Sequence, residues 1–161
     1  MDNSKIKIRK ITIEDLEVIK ELNKKLCVKE FNEFDDTIDP NYSMAQRGDE
    51  FFRNRIEGDG FAYVATDNEK IIGYFVGGIN DVEDYRNPSK IGEGETTFIE
   101  ENYRGDGIGT KFIRMFEEWC KEKGIKRLRI VASSRNEKAI KLYKREGFEE
   151  YDTVLEKVLV K

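Results

Sequence analysis

The chain has 161 residues, of which 39% are charged and 38% hydrophobic, with two prolines, two cysteines and no histidine. This length and composition predict a single domain over residues 1–161, and the lack of histidine argues against a zinc site, a Ser-His-Asp triad or a Cys-His pair, so no metal is expected. Because no apolar run approaches the roughly 18 residues that cross a bilayer and no signal peptide is visible, we expect a cytoplasmic protein without a membrane partner.

The net charge of −4 hides an uneven distribution of charge along the chain. Residues 104–148 hold thirteen Lys/Arg against six Asp/Glu, a balance of +7 that leaves −11 on the remainder. The basic part suits an anion and the acidic part a cation, although a charge run can also be an ordinary solvated face. A nucleic-acid binder is typically basic overall, so no nucleic-acid partner is expected.

The first part of the chain predicts a strand and two helices. KIKIRKI (5–11) alternates like a strand, and Thr12 begins the capping-box pattern T-I-E-D that opens a helix. Residues 30–39 hold five acids and no base, which predicts a loop or a broken helix. A second helix is predicted over residues 44–57, where a GDG triplet ends it.

The middle of the chain predicts antiparallel strands. FAYVAT (61–66) and KIIGYFVGGI (70–79) are rich in β-branched and aromatic residues, and the polar turn 67–69 joins them as a hairpin. A polar segment then leads to another strand at residues 91–100.

A strand–helix–strand unit follows the hairpin. Apolar residues recur at helical spacing over residues 108–119, Gly124 ends the helix, and RLRIVAS (127–133) alternates like a strand. Because a helix of this length separates them, the strands at 91–100 and 127–133 are expected to be parallel, with a right-handed crossover. A last helix is predicted over residues 136–146. YDTVLEKVLV (151–160) is apolar on both faces and predicts a well-covered final strand.

Three glycines, Gly105, Gly107 and Gly109, stand at alternate positions between a predicted strand and a predicted helix. Glycines there let the backbone approach a ligand closely, and the unpaired N–H groups of the first helical turn favour phosphate. The spacing fits neither a Walker loop, which needs four residues between its glycines, nor the G-x-G-x-x-G dinucleotide fingerprint. This pattern alone is also compatible with a glycine-rich turn that binds no ligand.

Two motifs together point to one family. RGDGIG (104–109) resembles the R/Q-x-x-G-x-G/A signature of the GNAT superfamily of acyl-CoA-dependent N-acetyltransferases. NEKAIKLYKREGF (136–148), about thirty residues later, is similar to that family's N-x-x-A-x-x-L-Y-x-x-x-G-F segment. The resemblance implies acetyl-CoA as co-substrate and an α/β (α+β) fold, in which helices flank a mixed, mostly antiparallel central sheet whose fourth and fifth strands splay apart.

The resemblance also implies which residues bind acetyl-CoA. The pyrophosphate is expected on backbone amides of a loop, and the pantetheine arm is expected to pair with a strand edge. The implied residues are Arg104, Gly105, Asp106, Gly107, Ile108, Gly109 and Thr110 for the pyrophosphate, and Thr97, Phe98 and Ile99 for the arm. Asn136 is expected to cap the last helix, to form a hydrogen bond with the pantetheine arm, or to do both. An amide of Phe98 or Ile99 is also a candidate for stabilising the oxyanion.

The implied general acid is Tyr143, whose alternative role is packing on its helix. A phenol of pKa about 10 can protonate a departing thiolate whose conjugate acid has a pKa near 8.5. With no histidine, the base for an amine must be a carboxylate. The resemblance implies Glu95 as the first candidate and Glu93 as the second, because both match positions where relatives often place an acid. The two are two residues apart and so point to one side of the strand. A site without an enzymatic base also stays open.

Direct transfer in a ternary complex is predicted, because Cys27 and Cys120 lack a histidine partner and suit the core. The acidic segment 30–39 favours a cationic acceptor such as a polyamine, an aminoglycoside or a peptide or protein amine, although the loop at 80–90 can also shape the pocket. The alternative function is a non-catalytic acyl-CoA-binding or interaction module of the same fold. A homodimer is permitted by the apolar final segment.

Overall fold

A single mixed sheet organises the protein. The computed structural model describes residues 5–160, whose strands pair in the order β1-β2-β3-β4-β5. The strands are β1 (Ile6–Lys10), β2 (Phe61–Asp67), β3 (Lys70–Asp81), β4 (Lys90–Ile99) and β5 (Leu128–Ile130). β1 to β4 are antiparallel neighbours, and β5 joins β4 in parallel. The mixed, mostly antiparallel sheet predicted above is confirmed.

Helices cover both faces of the sheet, which gives the protein two apolar clusters. The helices are α1 (Leu16–Glu33), α2 (Gln46–Glu57), α3 (Ile108–Glu122) and α4 (Glu137–Arg145). Successive strand residues serve opposite faces. Tyr74 on β3 packs in the cluster of α1 and α2, and Phe75 packs in the cluster of α3 and α4. Within residues 5–160, no helix is both long enough and apolar enough to cross a bilayer.

The predicted capping box at Thr12 is present. The Thr12 backbone N–H donates to Asp15 Oδ2 at 2.9 Å, and the Arg9 guanidinium pairs with the same carboxylate. A short 3-10 turn at Ile13–Asp15 precedes α1. Because α1 continues to Glu33, the acidic segment 30–39 begins as helix and becomes a turn only afterwards.

β4 and β5 separate after a short pairing. Their last pair is Gly94 with Ile130, while β4 continues to Ile99 with no partner on that side among residues 5–160. The register between β3 and β4 shifts at the same point, which leaves Glu95 as the extra residue between Gly94 and Thr96. A bulge of this kind bends and twists a strand. The predicted splay of the fourth and fifth strands is therefore confirmed, and we call the gap between them the fork.

The predicted final strand at residues 151–160 is wrong. This segment has no regular secondary structure, and Val154, Leu155 and Leu159 are 90%, 90% and 85% exposed. Tyr151 lies over the Arg127 guanidinium at the beginning of β5, 4.9 Å from ring centroid to Cζ, and the residues after it do not pair with the sheet. An apolar pattern indicates that a segment favours burial, but it does not indicate the surface against which the segment is buried.

Candidate active site

The loop between β4 and α3 presents unpaired backbone amides. Gly105 and Gly107 have φ of +90° and +79°, a region that glycine adopts without strain. A Cβ at either position would meet nothing within 4 Å, so the space beside the loop is open. None of the six backbone N–H groups from Gly105 to Thr110 donates a hydrogen bond to another group of residues 5–160. Such a row of donors at a helix N-terminus suits an anion.

Gly109 has a different role, which is to bring α3 close to its neighbours. A Cβ there would lie 3.2 Å from Leu142 Cδ2 of α4 and 3.6 Å from Ile99 Cδ1 of β4. The Thr110 hydroxyl donates to Glu146 Oε1 at 3.0 Å, just beyond α4. The two motifs that carry the family resemblance therefore lie side by side.

The end of β4 connects directly to the glycine loop. Arg104 Nε donates to the Ile99 carbonyl at 2.8 Å, and its guanidinium lies over the Phe98 ring. Thr97 Oγ1 donates to the Tyr74 carbonyl at 2.9 Å, and Phe98 is buried in the core. These side chains are used for packing, so β4 offers a ligand in the fork mainly its unpaired backbone edge.

Tyr143 lies on α4, half-buried against Phe148 with ring centroids 5.9 Å apart. Burial raises the pKa of the Tyr143 phenol, and the nearby Glu30 carboxylate raises it further. The phenol is therefore protonated at neutral pH. Its hydroxyl makes no hydrogen bond within the described part of the chain, which leaves its proton available to a ligand.

Asn136 is the N-cap of α4. Its Oδ1 accepts a hydrogen bond from the Ala139 backbone N–H at 3.2 Å. The capping role proposed from the sequence is therefore observed, while a contact with the pantetheine arm stays a prediction. The cap fixes the beginning of the short helix that carries Tyr143.

The two candidate bases, Glu95 and Glu93, lie on the same side of β4 as predicted. Asn80 Nδ2 donates to Glu93 Oε2 at 2.8 Å and to Glu95 Oε1 at 3.0 Å. Both Glu95 oxygens also accept from the Arg55 guanidinium, and Arg129 Nε donates to Glu93 Oε1 at 3.2 Å. Each carboxylate is thus already bound to a cation. A role of either as the base stays a prediction, and these ion pairs weigh against it.

Sequence reasoning missed Arg55, which reaches Glu95 from α2. A Cβ at Gly78 would lie 2.6 Å from the Arg55 Cζ atom, so this glycine leaves the slot that the guanidinium fills. The glycine pair at 77–78 was visible in the sequence, but no local pattern connects it to a helix more than twenty residues earlier.

Both cysteines are buried, as predicted. Burial raises the pKa of each thiol to about 11, so both are protonated at neutral pH and are poor nucleophiles. Cys27 Sγ lies 3.5 Å from Asn23 Oδ1, and Cys120 lies where a Cβ on Gly92 would collide with it.

The acidic segment 30–39 lies beside the fork. Arg135, just before α4, donates to the Phe34 carbonyl at 3.3 Å and links this segment to the helix of Tyr143. Some of the acids are already engaged, since Asp39 pairs with Arg47 and Asp35 accepts from the Thr37 hydroxyl at 2.6 Å.

Comparison with known proteins identifies the family. The sequence model of the Acetyltransferase (GNAT) family matches residues 26–148. The chain belongs to this family. The match contains the fork, the glycine loop and α4, so the GNAT resemblance that rested on two motifs extends over most of the sheet.

This GNAT chain is similar to a curated sequence and to solved structures. An uncharacterised N-acetyltransferase of Methanocaldococcus jannaschii is 30% identical over 147 residues, which are 91% of this chain and 62% of that protein. The chain thus spans less than two thirds of the length of this curated relative. The structure of a predicted acetyltransferase with acetyl-CoA from Clostridium acetobutylicum is 24% identical, covers 96% of each chain and has a TM-score of 0.76.

A second solved relative is the aminoglycoside N-acetyltransferase AAC(6')-Iy in complex with CoA. It is 21% identical, with 95% of this chain and 93% of that chain covered and a TM-score of 0.74. Another structure of AAC(6')-Iy holds the bisubstrate analogue CoA-S-monomethyl-acetylneamine, at 19% identity, 98% and 100% coverage and a TM-score of 0.75. At these identities the likeness concerns the fold.

Proposed function

We propose that the protein transfers an acetyl group from acetyl-CoA to a primary amine, by direct attack of the amine in a ternary complex. The observation that carries this proposal is the position of α4, the helix of Tyr143, beside the loop of unpaired amides at residues 105–110. Membership of the GNAT family and the CoA and acetyl-CoA held by two structural neighbours support it.

In this proposal the glycine loop binds the pyrophosphate of acetyl-CoA. Six unpaired amides, the N-terminal end of α3 and the +7 balance of residues 104–148 all favour an anion there. The pantetheine arm pairs with the free backbone edge of β4 in the fork, which requires strand geometry more than particular side chains. No metal takes part in the proposed reaction.

Tyr143 is the proposed general acid. Amine attack on the thioester expels a thiolate, and the phenol supplies the proton that makes the sulfur a better leaving group. Its raised pKa keeps the proton on the phenol at neutral pH.

The proposed acceptor is a cationic amine, from the polyamine, aminoglycoside or peptide-amine classes. The acidic segment 30–39 beside the fork supports a positive charge on the acceptor. The bisubstrate analogue in AAC(6')-Iy is consistent with an aminoglycoside, at a level of identity that leaves the acceptor of this chain to experiment.

A panel of amines with acetyl-CoA and a thiol-release readout tests the function. We expect release of CoA with at least one of spermidine, kanamycin, free amino acids and a lysine-containing peptide. CoA binding by calorimetry without release of CoA from any acceptor would favour the alternative, a non-catalytic acyl-CoA-binding module. An absence of CoA binding would contradict both.

We also propose that the protein is a homodimer in which residues 153–160 of each copy cover the free edge of β5 in the other. The segment turns away from its own sheet at Tyr151, where Arg86 also donates to Asp152 at 2.8 Å. No strand within residues 5–160 pairs with the outer edge of its own β5, and Val131 just after β5 is 78% exposed. A single domain over residues 1–161 and a cytoplasmic location stay predictions from the sequence.

A further inference from the structure

A half-buried acid without a partner lies at the C-terminal end of α1. The carboxylates of Glu93 and Glu95 are each bound by a guanidinium, whereas the Glu30 carboxylate makes no hydrogen bond or ion pair with any side chain of residues 5–160. Leaving a half-buried charge unpaired costs free energy that a folded protein normally avoids. Glu30 is therefore a candidate for contact with a cationic ligand.

Glu30 shares a helix face with residues that contact the sheet. Asn23, Cys27 and Glu30 are spaced i, i+4 and i+7, which places them on one side of α1. Asn23 Nδ2 donates to Tyr74 Oη at 2.9 Å and to Thr96 Oγ1 at 3.2 Å. This face of α1 therefore lies over β4, beside the bulge at which the fork begins.

The chain directly after Glu30 contacts the segment that leads into α4. The Glu30 carbonyl accepts from the backbone N–H groups of Phe34 and Asp35, both at 2.9 Å, which closes a tight turn. The Phe34 carbonyl in that turn accepts from Arg135. The middle of α1 is thus fixed on β4 by Asn23, and the turn after its C-terminal end is fixed on the segment that leads into the helix of Tyr143.

The charges around Glu30 agree with this position. Burial raises the pKa of the Glu30 carboxyl, and the neighbouring Asp35 raises it further. The Glu30 charge in turn raises the pKa of Tyr143 on α4, of Tyr74 on β3 and of Cys27 on its own helix. The Glu30 charge therefore acts on the Tyr143 phenol, in agreement with the contact between the turn after α1 and the segment before α4.

We propose that Glu30 binds the ammonium group of the acceptor amine in the fork and accepts its first proton. This inference rests on the acetyl transfer proposed above and adds the residue that selects and activates the acceptor. It also assigns the base to α1, whereas the sequence pointed to Glu95 and Glu93 on β4.

The ammonium nitrogen gives one proton to the Glu30 carboxylate, and its lone pair then forms the C–N bond to the acetyl carbonyl carbon. The C–S bond breaks, and the sulfur takes the proton of Tyr143. A second proton from the nitrogen returns to the Tyr143 phenolate, and Glu30 releases its proton to water. The raised pKa of Glu30 makes it a stronger base than an exposed carboxylate.

The test compares Glu30→Gln with Glu21→Gln. Glu21 lies on the same helix, is exposed and stands outside the acidic segment 30–39, so its replacement removes a charge of the same sign away from the site. With spermidine or kanamycin as acceptor, we expect Glu30→Gln to lose about 10²-fold in kcat/KM, the scale of a removed general base. CoA affinity by calorimetry should be unchanged in both variants, and Glu21→Gln should stay within about twofold of the wild type.

The pH profile distinguishes a role in proton transfer from a structural role. In the wild type, kcat/KM should rise with pH as Glu30 loses its proton. This rise, the acid limb of the profile, should disappear in Glu30→Gln. It should return in Glu30→Asp at a shifted pH. If Glu30→Gln keeps both the wild-type kcat/KM and the acid limb, the role of Glu30 is overturned while the acetyl transfer stands. An inactive wild-type protein that binds CoA would overturn the acetyl transfer, and the role of Glu30 with it.

Discussion

Arg55 on α2 and Glu95 at the bulge of β4 form a bidentate ion pair, with Arg55 Nε 2.8 Å from Glu95 Oε2. The two side chains are only 24% and 15% exposed, and Asn80 adds a hydrogen bond to each of them. A bidentate pair between a guanidinium and a carboxylate is directional, so it holds the bulged part of β4 against α2. Glu95 is better described as a support of the fork than as a free base.

Arg55→Met tests this support. The substitution leaves the half-buried Glu95 carboxylate without its cation, so the free energy of unfolding in urea should fall by about 1–2 kcal/mol. Arg53→Met is the matched control, because Arg53 is exposed on the same helix and, among residues 5–160, pairs only with Asp49, at 2.6 Å. The free energy of unfolding of Arg53→Met should fall by no more than about 0.5 kcal/mol. Equal losses in the two variants would contradict a special role of the Arg55–Glu95 pair.

Tyr143→Phe tests the proposed acid. The ring contact with Phe148 survives and only the hydroxyl is lost, so calorimetry should show unchanged CoA affinity while kcat falls by about 10²-fold or more. Because burial raises the pKa of Tyr143, the alkaline decline of the wild-type rate should be displaced to higher pH than that of an exposed tyrosine. Tyr151→Phe, at an exposed position, serves as the control. Unchanged kcat in Tyr143→Phe would rule out the acid role.

Gly107→Ala and Gly124→Ala separate ligand binding from backbone strain. Both glycines have positive φ, +79° and +73°, and open space at the Cβ position, but they lie at opposite ends of α3. Each substitution should lower the free energy of unfolding by about 1 kcal/mol. Only Gly107→Ala should also weaken CoA binding, by about tenfold, because it disturbs the row of amides. A similar loss of CoA affinity in both variants would point to general destabilisation instead.

Leu155→Asp tests the proposed homodimer. A charge in the middle of the exposed C-terminal segment should prevent its burial against another copy, so light scattering should give the mass of two chains for the wild type and of one for the variant. Glu156→Gln, beside it in the same segment, should leave the mass unchanged. A monomeric wild-type protein at micromolar concentration would refute the dimer.

Local signals in the sequence predicted most of the fold. Alternation, capping and glycine stops act over a few residues, which is why β1 to β4 and the four helices lie close to their predicted ranges. The site was harder to predict because its contacts join distant residues. Arg55 and Glu95 are 40 positions apart. Glu30 was visible only as one acid among five. Asp35 is also half-buried but accepts from Thr37, so the distinguishing feature of Glu30 is burial without a partner among residues 5–160, which no local pattern reports.

The hydrogen bond between Thr110 and Glu146 has a consequence for how the proposed enzyme chooses its acyl donor. It ties the glycine loop to the end of α4, so it opposes separation of the amides proposed to bind the pyrophosphate from the helix of Tyr143. In the proposed complex, the distance between the diphosphate and the thioester is therefore set by the fold. We expect a donor whose arm is shorter than pantetheine to reach either the loop or the phenol, but not both at once.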